Sequence, residues 1–311
     1  VKIYEESQNL DERFKKWTSL GNSSSLYAFK GYEITQPAPK IIEIQGILNT
    51  SDNTLQLTRN LSPTIGSINY GSGQNIFGNS FTAAIDISQI QFPDDVDKTV
   101  YIYNTGSFGS WYGTTGTGAT GTTPGTYFSI PQNASPVIGQ EIPSMQGFFV
   151  RVSNTADANV SFTYPGKKNT KPLRVKHSAE ASSLPFVTMS VNGTDGGDIV
   201  WIFREESTTP SYDNGWDGYK WDGAAGLPQM YVTGEAGNLQ VSTSNEIPDT
   251  YLSFKAGNGD GNYTLTINSG GMDVYYPDLV LIDLKLNTSI ALSQPSTTYT
   301  FKAANRVEAE K

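Results

Sequence analysis

The chain has 311 residues, no cysteine and a formal net charge of −9, with a pI near 4.7. An acid excess disfavours nucleic acid, whose phosphates need clustered Lys and Arg, and the missing thiols exclude disulfides, thiolate metal sites and a Cys nucleophile. With 31 Gly, 16 Pro, 12 % aromatics and only 16 % charged residues, the composition suits packed strands and turns, and the length suggests two domains.

No apolar run reaches the roughly 18–20 residues a membrane-spanning helix needs, so no transmembrane segment is expected. Val1–Tyr4 has strand character and no charged leader precedes it, so the chain reads as a C-terminal portion of a longer protein whose signal lies upstream. The one candidate helix is Asp11–Trp17, with Asp11 as cap and Glu12 and Lys16 four apart. Period-two patterns then predict strands at Ile42–Ile47, Thr54–Thr58, Thr99–Tyr103, Gly147–Val152 and Val160–Tyr164.

Thr105–Thr126, nearly pure Gly, Ser and Thr apart from Phe108, Trp111 and Tyr112, reads as a long surface loop. Pro165–Pro172 is basic and free of apolar residues, which places a linker at residues 166–174 between a β domain at 1–165 and a second at 175–311. Beyond it, strands are expected at Phe186–Val191, Asp198–Phe203, Gln229–Val232, Leu239–Val241, Thr250–Phe254, Asn262–Ile267, Leu279–Asp283 and Thr298–Phe301. Asn192–Asp198 and Asn258–Asn262 look like hairpin turns. Short strands at near-regular spacing without intervening helices predict an all-β protein of two antiparallel sandwich or jelly-roll domains. Phe148, Val150, Ile102, Phe162, Ile199, Trp201, Phe203, Leu265, Ile267, Val280 and Ile282 are the expected core.

Three ordered blocks carry a resemblance: Gly73–Asp86, Tyr101–Asn104 and Ile142–Val150. They are similar to the GWNLxGNP…ALD, IYxYN and IPPMQGFFV blocks of a β-rich module common in large secreted and surface proteins of Bacteroidota, usually just ahead of a C-terminal sorting domain. Asp198–Glu205 followed by Thr208–Lys220 resembles the DxVxxxFxxxATxxFDxxYDAxKL block of the same exported proteins. Ser80 stands in place of the usual Pro, Gln74 in place of Trp, and Trp221–Asp222 in place of an apolar pair. The resemblance implies a secreted or surface location and export through the type IX pathway, and it brings no catalytic residues.

Candidate chemistry is sparse. The sole histidine, His177, lies beside the linker, where no triad scaffold is expected. Glu205 and Glu206 are adjacent, so on a strand they would point to opposite faces rather than form a hydrolase pair. The loop Asp213–Asp222 is the best binding feature. Asp213, Asn214, Asp217 and Asp222 offer oxygen ligands for calcium, between glycines that let the backbone curl, and Trp216, Tyr219 and Trp221 offer rings on which a sugar could stack. The same residues also make ordinary turns and plug sandwich ends. No cofactor is required, with calcium as the one candidate. The expected partners are other domains of the same precursor, with a surface glycan or protein as ligand. The function these features favour is a non-catalytic adhesin-like or structural module. The alternative is a carbohydrate-binding module; a cryptic hydrolase or a pore-former ranks last.

Overall fold

Strand-forming residues bounded by Gly, Asn, Asp and Pro turns dictate the architecture, which among the described residues is 46 % strand and 4 % helical. A computed structural model of the protein describes residues 1–7, 16–35, 41–59, 73–106, 124–153, 158–164, 184–292 and 294–304. The proposed linker at 166–174, His177 and the ring-bearing part of the Gly/Ser/Thr run lie outside the described residues. So does most of the candidate helix Asp11–Trp17. Its last residue, Trp17, opens a strand instead, because Tyr4↔Trp17 pairing satisfies the backbone there. Two compact units emerge, Val1–Ile102 with Ile130–Ser178, and Tyr103–Ser129 with Ala179–Lys311.

In the first unit, β1 (Lys2–Tyr4), β2 (Trp17–Ser19) and β3 (Tyr32–Glu33) form a small sheet. They are followed by β4 (Asn53–Leu57), β5 (Gln74–Gly78), β6 (Ile85–Asp86), β7 (Thr99–Tyr103), β8 (Tyr127–Pro131, of which only Ile130 and Pro131 belong to this unit), α1 (Ser135–Ile138), β9 (Glu141–Ile142), β10 (Gly147–Arg151) and β11 (Ala158–Phe162). The main sheet has the order β5-β10-β7-β8, and β11 pairs with β4 and β6 with β9. Two of the recognised blocks are thus partners, since β5 and β6 come from Gly73–Asp86 and β9 and β10 from Ile142–Val150. Asn79 explains the Gly-Asn pair. Fully buried, it donates to Ala83 O and Ile142 O, both at 2.9 Å, and its Oδ1 accepts from Phe81 N–H at 2.9 Å. Phe29, Phe77, Phe148 and Phe162 pack at the core with centroids 5.7–6.3 Å apart where they meet.

The strand expected at Ile42–Ile47 does not form. Ile41, Ile42, Ile44, Ile47 and Leu48 are exposed, Ile47 at 98 %. Alternation is necessary but not sufficient, because a strand is stable only when a neighbour fills its backbone bonds.

The second unit holds β12 (Phe186–Gly193), β13 (Gly196–Arg204), β14 (Gly218–Tyr219), β15 (Gln229–Gly234), β16 (Gly237–Ser244), β17 (Leu252–Lys255), β18 (Asn262–Gly270), β19 (Val280–Asp283), β20 (Thr288–Ala291) and β21 (Ser296–Lys302). Its large sheet runs β17-β15-β16-β13-β12-β18-β21, with β14 added on β16. All its ladders are antiparallel except β13–β16, which is parallel and whose crossover contains no helix. Asn192–Asp198 is a hairpin turn as expected, with Gly193 paired to Gly196. Asn258–Asn262 is not, since β17 and β18 lie far apart in the sheet and the segment is a crossover loop.

The β19–β20 hairpin covers one face of this unit with Leu281 and Ile290, which pair across it and pack on the core. That pairing sends Val280 and Ile282, both expected in the core, to the other face, where they are 45 % and 50 % exposed. Ile102 and Ile199 are half-buried; the remaining seven expected core residues are buried.

Candidate functional site

The candidate loop leaves β13 and returns to the sheet as β14. Its first turn is closed by Thr208, which is buried and donates from Oγ1 to Glu205 O at 2.8 Å. Glu205 Oε1 accepts from Ser207, and Glu206 pairs with Arg204 at 2.7 Å. The adjacent glutamates are therefore turn and surface groups, not a hydrolytic pair.

Two aspartates organise the rest. Asp213 Oδ2 accepts from Thr209 N–H at 2.6 Å and Thr209 Oγ1 at 3.0 Å. Asp213 O accepts from Trp216 N–H at 3.0 Å and Asp217 N–H at 2.9 Å, a turn for which Gly215 supplies a φ of 91°. Asp217 is buried; Oδ2 takes the N–H of Asp213 at 2.7 Å and Oδ1 that of Thr243 at 2.6 Å. Burial raises the Asp217 carboxyl to about 7 against those two donors, and the nearby Asp213 charge adds to the rise.

The aromatic residues divide similarly. Tyr219 stacks on Tyr212 at 4.7 Å, while Trp216 and Trp221 are half-buried rather than laid flat on the surface. Asn214 and Asp222 are exposed. Asp213, Asn214, Trp216 and Asp217 thus lie on the loop, Tyr219 on β14 and Trp221 and Asp222 just beyond it, and Asp213 and Asp217 direct their carboxylates at backbone N–H groups of the chain. Among the described residues no three His, Cys, Asp or Glu side chains are grouped to hold a metal ion.

Sequence reasoning missed the buried ion pair that Lys220 makes. Lys220 Nζ lies 2.7 and 2.6 Å from the two oxygens of Asp198, and both side chains are 1 % exposed. Asp198 also accepts from Ile199 N–H and Met230 N–H at 2.9 and 2.7 Å. Burial pushes its carboxyl up, and the Lys220 ammonium and these donors oppose the rise. Both residues fall inside the recognised blocks, which was the available signal. Farther along, buried Gln240 donates to Tyr127 O at 2.9 Å and Ile199 O at 3.3 Å and accepts from Ser129 N–H at 2.8 Å.

No protein-family model and no solved structure matches the chain. Among curated proteins, the minor fimbrium subunit Mfa5 of Porphyromonas gingivalis is 36 % identical over 264 residues, covering 78 % of this chain and 20 % of that protein. The chain spans about a fifth of the length of the curated relative it matches.

Proposed function

We propose that this chain is a non-catalytic, structural or adhesin-like β-module of a longer cell-surface protein that works in an assembly of protein subunits. One observation carries the reading: the 36 % identity to a fimbrium subunit over most of this chain. A fimbrium stands outside the cell, so the likeness places the chain at the extracellular surface. Among the described residues no helix is long and apolar enough to cross a membrane. Export by the type IX pathway is the route we propose, resting on the ordered blocks and on the Bacteroidota source of the relative.

The geometry supports the non-catalytic part. Two of the candidate carboxylates, Asp213 and Asp217, accept from backbone N–H groups, and the neighbouring Asp198 is paired with Lys220, which suits a rigid scaffold more than a reacting centre. Antibodies raised against the chain should label intact producing cells, and the protein should co-purify with subunits sheared from their surface. Labelling that appears only after the envelope is broken would overturn the reading.

A further inference from the structure

The chain has four methionines and no cysteine, so its sulfur chemistry is thioether chemistry alone. Three of them are packed away, Met189 and Met230 at 4 % and Met272 at 1 % exposure. Met145 is 66 % exposed, at the crest of the turn between β9 and β10. Its φ is 67°, a left-handed conformation that glycine or asparagine normally fills. The turn is nevertheless held firmly. Met145 N–H donates to Asn79 O at 2.8 Å, Gln146 N–H to Pro143 O at 3.1 Å, and Ser144 Oγ to Phe81 O at 2.5 Å. A backbone outlier fixed by buried partners, presenting a polarizable apolar side chain to solvent, marks a place where the side chain itself is exposed to outside chemistry.

We propose that Met145 is a selective oxidation site, taking one oxygen atom from a peroxide-class oxidant. The thioether lone pair attacks the outer peroxide oxygen, the O–O bond breaks, and water leaves after proton transfer. Sulfur is oxidised by two electrons, the peroxide is reduced, and the product is methionine sulfoxide, which methionine sulfoxide reductases reverse. The change converts the crest of the turn from apolar to polar while the hydrogen bonds that hold it, all made by backbone groups or Ser144, stay in place. Oxidation at Met145 thus alters what the crest can contact without loosening the fold.

Hydrogen peroxide titration of the purified protein, followed by peptide mass mapping, tests this. Met145 should oxidise at least about tenfold faster than the three buried methionines, which react only when the structure opens. In denaturant all four should react alike, and the melting temperature of protein oxidised only at Met145 should be unchanged. Met145→Leu should remove the fast phase and nothing else. Equal rates at all four positions in the folded protein, an unreactive Met145, or a fast phase that survives Met145→Leu would overturn the proposal, as would a fall in melting temperature that tracks Met145 oxidation.

Discussion

Phe203 has no measurable exposure, stacks on Trp201 at 5.8 Å and meets Phe186 at 6.5 Å. Truncating it empties a space that the rigid sheet cannot refill, so Phe203→Ala should cost about 3–5 kcal/mol in denaturant melts. A loss below about 1 kcal/mol would show that the face is not packed. The buried acid Asp217 makes a different prediction. Its folded carboxyl titrates at about 7 against 3.8 as the ordinary value. Between those values the folded state holds a proton that the unfolded state has lost, so this group favours folding in acid, and its contribution fades as pH rises towards 7. At about 1.4 kcal/mol per unit, the effect is bounded at roughly 4 kcal/mol.

Asp217→Asn removes that dependence and turns an amide NH2 towards one of two backbone donors, which costs roughly 1–3 kcal/mol. The deficit of the variant should therefore be larger at about pH 5 than at about pH 8; an unchanged deficit would refute the assignment. Lys220→Met strands the Asp198 carboxyl without its counter-charge and should cost about 3–5 kcal/mol. Asp213 and Asp217 were legible as loop organisers, since Asp next to Gly encodes turns directly. The Asp198–Lys220 pair was not, because its partners are joined only when β14 docks on β16.

At the scale of elements, period two located strands well wherever a neighbour existed. The expected Phe186–Val191 and Asp198–Phe203 segments became β12 and β13, which share the longest ladder among the described strands and are each bordered on both sides. Ile42–Ile47 carries the same pattern and stays unpaired, because alternation says nothing about whether a partner is present. The hairpin of β19 and β20 shows the complementary limit: Val280, Leu281 and Ile282 are all apolar, so composition does not say which face turns inward. Cross-strand register decides it, placing Leu281 opposite Ile290 over the core. Ile282→Ser should therefore change stability by no more than about 0.5 kcal/mol. Leu281→Ala, at a half-buried position, should cost about 1–2 kcal/mol. Melts showing the reverse order would mean that the hairpin sits in the other register.

For the whole molecule, composition conveyed the all-β class because strand propensity and turn chemistry are local properties of the chain. The makeup of the compact units is not local. The second takes in Tyr103–Ser129 together with Ala179–Lys311, and Gln240 is the residue that makes this consequential. Its buried amide takes the Ser129 N–H and gives a hydrogen bond to Tyr127 O, leaving only Ile199 O from the strands that follow residue 179. A fragment cut to residues 175–311 deprives Gln240 of both earlier partners and leaves a buried carbonyl oxygen unsatisfied, at about 1–3 kcal/mol. It should melt below the corresponding transition of the intact chain. Gln240→Leu should recover part of the difference within the fragment, where only the Ile199 carbonyl loses this partner, yet destabilise the intact chain, where the Ser129 N–H and the Tyr127 carbonyl lose it as well. A fragment that melts with the intact protein, or a leucine variant that behaves identically in both settings, would show that Tyr103–Ser129 contributes nothing to this unit.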